Sequence, residues 1–127
     1  MTIDELINAL EHAEGPSREL DQSIAVFVRN ASNPPNRPKV IGVANCQAYT
    51  SSVDAALTLI PDGCDFGFEV EHCFGGPCVY ARCLPGSWIA PVDDQRELVT
   101  IQRDTQSAAA RMIPIALCIA ALKARKP

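Results

Sequence analysis

A chain of 127 residues is about one domain, and its 47% hydrophobic and 20% charged content is that of an ordinary globular protein, which excludes a disordered tail or a disulfide-dense miniature. Its net charge of -4, without a run of consecutive Lys or Arg, argues against phosphate-backbone binding, which draws its affinity from clustered cations releasing counterions. The acidic start Met1-Thr2-Ile3-Asp4-Glu5 is unlike a signal peptide, and the most apolar run, Met112 to Leu122, is too short to cross a bilayer. The chain is therefore expected in a cytoplasm, with its six cysteines reduced.

Helix starts are the clearest local signals. Thr2 and Glu5 form a capping box, and Ile3, Leu6, Ile7 and Leu10 fall on one helical face that should end near Gly15. Pro16 suits a first helical turn, with Leu20, Ile24, Phe27 and Val28 as the apolar stripe of a second helix. Asn30 to Pro38 carries three prolines and reads as a loop inside one domain, followed by a short extended piece, Val40 to Ala44. Ser51 and Asp54 form a second capping box before a compact helix that Pro61-Asp62-Gly63 ends.

The middle of the chain reads as a hairpin. Phe66, Phe68 and Val70 alternate with acids and Gly67, the period of a half-buried strand. A turn at Phe74-Gly75-Gly76-Pro77 sets Cys73 opposite Cys78, Glu71 opposite Tyr80 and Glu69 opposite Arg82, with Phe66, Phe68 and Val70 inward. Trp88 to Ala90 and Leu98 to Ile101 are further strand candidates. The last element is a helix from about Gln106 to Arg125, in which Pro114 either opens the main helix or kinks a longer one.

Three separated segments carry a resemblance: Ser17-Arg18-Glu19-Leu20-Asp21, then Tyr49 through Pro61, then Ala116-Leu117-Cys118-Ile119-Ala120-Ala121-Leu122-Lys123-Ala124. In that order they resemble the small phage and prophage proteins called the phage ABA sandwich domain family, and the resemblance spans most of residues 1–127. It implies a single domain of α+β class, a three-layer α/β/α sandwich with a small, mainly antiparallel sheet, in a phage or prophage setting. It implies no reaction. The family pattern has a Thr before the proline of the last helix, where this chain has Ile113.

Chemistry is sparse. Cys73, Cys78 and Cys83, with His72 or Cys64, have gaps at the edge of those of structural zinc sites, and the hairpin register turns Cys83 away from the other two, so neither a metal nor a cofactor is expected. The thiols read as free, although Cys73 and Cys78 could oxidise to a cross-strand disulfide in air, and Cys118 reads as a small core residue. His12 and His72 belong to no recognisable nucleophile motif, so no catalytic residue is assigned. The candidate ligand site is Tyr49, Thr50, Ser51 and Ser52, four hydroxyls at a helix N-terminus, where N–H groups and the dipole favour an anion; the competing reading is a helix cap alone.

The sequence thus leads to a non-enzymatic phage or prophage accessory protein that binds a host protein or sequesters a small anionic, nucleotide-like ligand in anti-phage defence, without nucleic acid or membrane. The alternatives are a small cysteine-dependent hydrolase, or an assembly protein acting through homo-oligomers with Trp88 or Tyr80 as anchor.

Overall fold

In the computed structural model, residues 2–32, 46–61, 63–85 and 98–125 are described, and the following statements concern them. Helices α1 (Ile3–Glu11), α2 (Arg18–Ser32) and α3 (Val53–Leu57) precede strands β1 (Cys64–Cys73), β2 (Gly76–Pro85) and β3 (Val99–Gln102), and helices α4 (Gln106–Arg111) and α5 (Ile113–Arg125) follow. The class is α+β, with an open three-stranded antiparallel sheet in the order β1-β2-β3.

Local chemistry explains most boundaries. The capping box of α1 is present: the Thr2 oxygen accepts from the Glu5 N–H and the Glu5 carboxylate from the Thr2 N–H, both at 3.2 Å. The helix stops at Glu11, before Gly15, because His12 caps it, its Nδ1–H donating to the Asn8 carbonyl at 2.8 Å. Pro16 lies outside α2. Ser17 flanks that helix instead, its hydroxyl accepting from the Leu20 N–H, and the helix runs through Asn30 to Ser32 into the expected loop. The extended piece Val40 to Ala44 and the strand Trp88 to Ala90 lie outside the described residues.

Pro114 stands in the first turn of α5, where its missing N–H costs no helical bond. Met112 separates α5 from α4, and Thr105 supplies the cap of α4. Pro114 through Leu122 are all buried, so α5 is covered around its whole circumference. It packs on β2 and β3 as well as on α1 and α3, and Lys123 pairs with Glu11 at 3.4 Å. Leu6, Leu10, Ile24, Leu59, Val79, Met112 and Ile119 belong to this single core. The expected layering put the sheet between helices. The described contacts set α5 against β2 and β3 as well as against α1 and α3, and do not by themselves establish that layer order.

The hairpin register differs from the expected one by two residues. Cys73 faces Gly76, Glu71 faces Cys78, Glu69 faces Tyr80, and Arg82 faces Gly67, so neither the Glu69–Arg82 pair nor the Cys73–Cys78 pair forms. A slip of two leaves every side chain on its expected face, so alternation could not exclude it. The turn decided: a two-residue loop, Phe74-Gly75, replaces a four-residue one. Gly75 at φ +90° and Gly76 at φ +127° supply the backbone this needs, and the Gln102 amide donates to the Phe74 and Gly76 carbonyls at 2.8 and 3.1 Å. Phe66 and Phe68 do share the core-facing side with Val79, Ala81 and Cys83, but at the sheet edge they stay 41% and 42% exposed.

Gly76 is tightly constrained. A Cβ there would collide with the Arg103 carbonyl oxygen, in the stretch where the Arg103 N–H donates to Pro77 at 3.0 Å. Gly76→Ala should therefore lower stability by about 2 kcal/mol or more in urea unfolding, combining strain at positive φ with displacement of the chain after β3. A loss below about 0.5 kcal/mol would show that this approach is not constraining.

Candidate functional site

The expected ligand residues form the interior tie between α2, α3 and α5. Thr50 is fully buried, and its hydroxyl accepts from the Ser17 N–H at 2.9 Å. Its one hydrogen has two acceptors in reach, Asp21 Oδ1 at 2.7 Å and the Ser17 carbonyl at 3.1 Å; the shorter, charge-assisted bond is the stronger. The Thr50 N–H also donates to Asp21 Oδ1, at 2.8 Å, and Arg18 approaches Asp21 Oδ2 at 3.6 Å. Asp21 is itself buried, so this carboxylate is oriented from two sides.

Tyr49 is also buried, and burial, with Cys46 and Cys118 nearby, pushes its phenol above its usual range. Its carbonyl accepts from the Cys118 thiol at 3.3 Å. The cap of α3 is Ser52, not Ser51: its oxygen accepts from the Ala55 N–H at 3.3 Å. Ser51 is exposed, with its hydroxyl 3.5 Å from the Ala48 carbonyl. Of the four hydroxyl residues, only Ser51 is exposed.

Ser17 and Asp21 come from the first resembling segment, Tyr49 and Thr50 from the second, and Cys118 from the third. Three segments far apart in sequence thus meet in one hydrogen-bonded knot. Their contacts hold helices together and leave no reacting group toward solvent.

The thiols are distributed. Cys78 points to the outer sheet face and Cys83 to the core, and the described residues contain no group of three His, Cys, Asp or Glu arranged to hold a metal ion. Burial pushes the Cys83 thiol up to about 11, with Cys64 beside it adding to the shift, and pushes Cys118 up to about 12, with Asp21 adding. Both are protonated at neutral pH, the opposite of an activated nucleophile. His72 is exposed on β1, and His12 is committed to Asn8.

Solvent-facing chemistry gathers on the hairpin. The outer face of β1 carries Asp65, Glu69 and Glu71, of which Glu69 and Glu71 join no ion pair among the described residues. Glu71 is held above the usual carboxylate range by a hydrogen bond with Glu69, then by the Glu69 charge. Beside them, a concavity of roughly 300 Å³ is lined by Gly67, Glu69, Tyr80, Arg82 and Leu98. At the tip, Phe74 is 107% exposed. Its signal was present in the sequence as an aromatic inside glycine turn chemistry, but the four-residue turn assigned there hid its position.

No family model, curated protein or solved structure matches the chain.

Two outcomes follow from this geometry. Thr50→Val keeps the shape but strands the Ser17 N–H and removes one donor to Asp21, so it should cost about 1 to 3 kcal/mol in urea unfolding, while Thr50→Ser should recover most of the loss. For Glu71, a carboxyl raised in the folded state favours the protonated form, so its repulsion with Glu69 is absent at low pH and grows as pH rises through the shifted value. Glu71→Gln should raise the melting temperature near pH 7 and leave it unchanged near pH 3. Equal shifts at both values would mean the two carboxylates do not interact.

Proposed function

We propose that the chain is a phage or prophage accessory protein that works by binding a host protein in the bacterial cytoplasm, in anti-phage defence, with the β1–β2 hairpin as its contact surface. The observation that carries this reading is the exposure of Phe74 at the tip together with Phe66 and Phe68 along the strand. Aromatic side chains at protein contacts contribute large apolar area at little conformational cost, and grouped exposed aromatics are a feature of such contacts.

The knot at Asp21, Thr50 and Cys118 supports the same division of labour. Residues that resemble the phage ABA sandwich domain family serve the interior, which leaves the hairpin for recognition. A small anionic ligand is less supported, because the Thr50 hydroxyl is committed and Ser52 is a cap. A thiol hydrolase is less supported because burial holds Cys83 and Cys118 as thiols. No helix among the described residues is long and apolar enough to cross a membrane.

Photoreactive phenylalanine placed at Phe66 and Phe74 in cells should form an adduct with one host protein, while the same group at exposed Ser107 on α4 should not. Purified protein incubated with linear and cyclic nucleotides should leave them intact. Recovery of a cleaved nucleotide, or equal crosslinking from all three positions, would overturn the reading.

A further inference from the structure

We propose that β1 accepts an extended segment of a partner protein as an added strand, and that this segment alternates apolar with basic residues. The inference rests on the partner-binding reading of the hairpin and specifies the chemistry of what it binds.

The edge itself is the first ground. Among the described residues β1 pairs only with β2, which makes it an edge of the described sheet. It is ten residues long, against four for β3 at the opposite edge, and its pairing runs without a bulge from Cys64 to Cys73. It contains neither Pro nor Lys. Edge strands that avoid pairing are short, bulged, or carry Pro or charged side chains; of these β1 has only its three acids, which repel an acidic strand and leave a basic one free to pair.

The pleat then dictates the partner. An added strand places its side chains directly beside those of β1 on the same face. On the core-facing side it meets Phe66 and Phe68, each about two-fifths exposed, which only apolar residues cover without loss. On the outer side it meets Asp65, Glu69 and Glu71, and no cation stands directly opposite either glutamate on β2. Lys or Arg at alternate positions would supply the missing charge.

The same pattern rejects a second copy. If two β1 strands paired antiparallel with their phenylalanine faces together, at least one acid would oppose an acid in every register that pairs more than half of the strand. Shifting by one residue separates the acids but sets Phe66 and Phe68 opposite the acids, Gly67 or Cys73 of the outer face. Neither arrangement is favourable, whereas the basic, alternating strand satisfies both faces. Main-chain bonds along the edge would supply affinity and the alternating side chains specificity.

The test uses the full chain and two labelled ten-residue peptides, one alternating valine with lysine and one alternating valine with glutamate. Fluorescence anisotropy should show binding of the lysine peptide, weakening as salt is raised, and none of the glutamate peptide. The double variant Glu69→Lys, Glu71→Lys should lose about tenfold in affinity for the lysine peptide and gain binding of the glutamate peptide. Hydrogen exchange should show β1 amides gaining protection only when the lysine peptide is present.

Absence of binding, or binding indifferent to the charge reversal, overturns the proposal. So does full protection of β1 in the free monomer, which would mean that the chain covers its own edge, or a sedimenting dimer protected at β1, which would mean that a second copy does. If the peptide fails while crosslinking from Phe74 still captures a host protein, the partner-binding reading stands and only the added-strand chemistry falls.

Discussion

The fold depends on the burial of α5, on which α1, α3, α4, β2 and β3 all pack. Nine consecutive residues, Pro114 to Leu122, are buried, and a helix that is apolar on all sides cannot be stable against water on any of them. Burying a Leu or Ile side chain contributes about 1.5 to 3 kcal/mol, so this one helix supplies a large part of the drive to fold. The sheet covers it through Val79, Ala81 and Val99, and α1 covers it through Leu6, Ile7 and Leu10. The small size of the sheet follows from this arrangement, since three strands are enough to cover one helix.

Apolar packing around a cylinder does not by itself set angles between helices, and the polar knot adds that information. Asp21 from α2 holds both the N–H and the hydroxyl of Thr50, and the Tyr49 carbonyl takes the Cys118 thiol from α5. These are directional bonds in a region of low dielectric, where a misplaced donor is costly. Arg125 adds a further tie by donating to the Leu59 carbonyl at 2.8 Å. The core supplies most of the energy, and the knot specifies orientation.

What could be read from the residues divides along the same line. The capping box at Thr2, the stripe of α1, the alternation of β1 and the apolar run of α5 are local patterns, and they stand where expected. The hairpin register was not legible, because alternation is unchanged by a shift of two and the choice lay with Gly75, Gly76 and the distant Gln102 and Arg103. The hydroxyls of Tyr49 to Ser52 were visible, but their burial was not: it depends on Asp21, 29 residues away from Thr50. The half-exposed state of Phe66 and Phe68 was equally hidden, because a period-two pattern assigns a face and not the distance from the sheet edge.

The position of α5 in chain order has a consequence for biosynthesis. It follows every other described element, so while the ribosome is still making it, the apolar faces of α1 and of the sheet have nothing to close upon. The Ser17–Thr50 and Asp21–Thr50 bonds can form in the nascent chain, but the surface that buries them arrives later. Between those moments the core-facing side of β2 and β3, with Val79, Ala81 and Val99, lacks the helix that covers it. The described elements can therefore close into one core only once α5 has been made, so packing is completed after the synthesis of the strands and helices it covers.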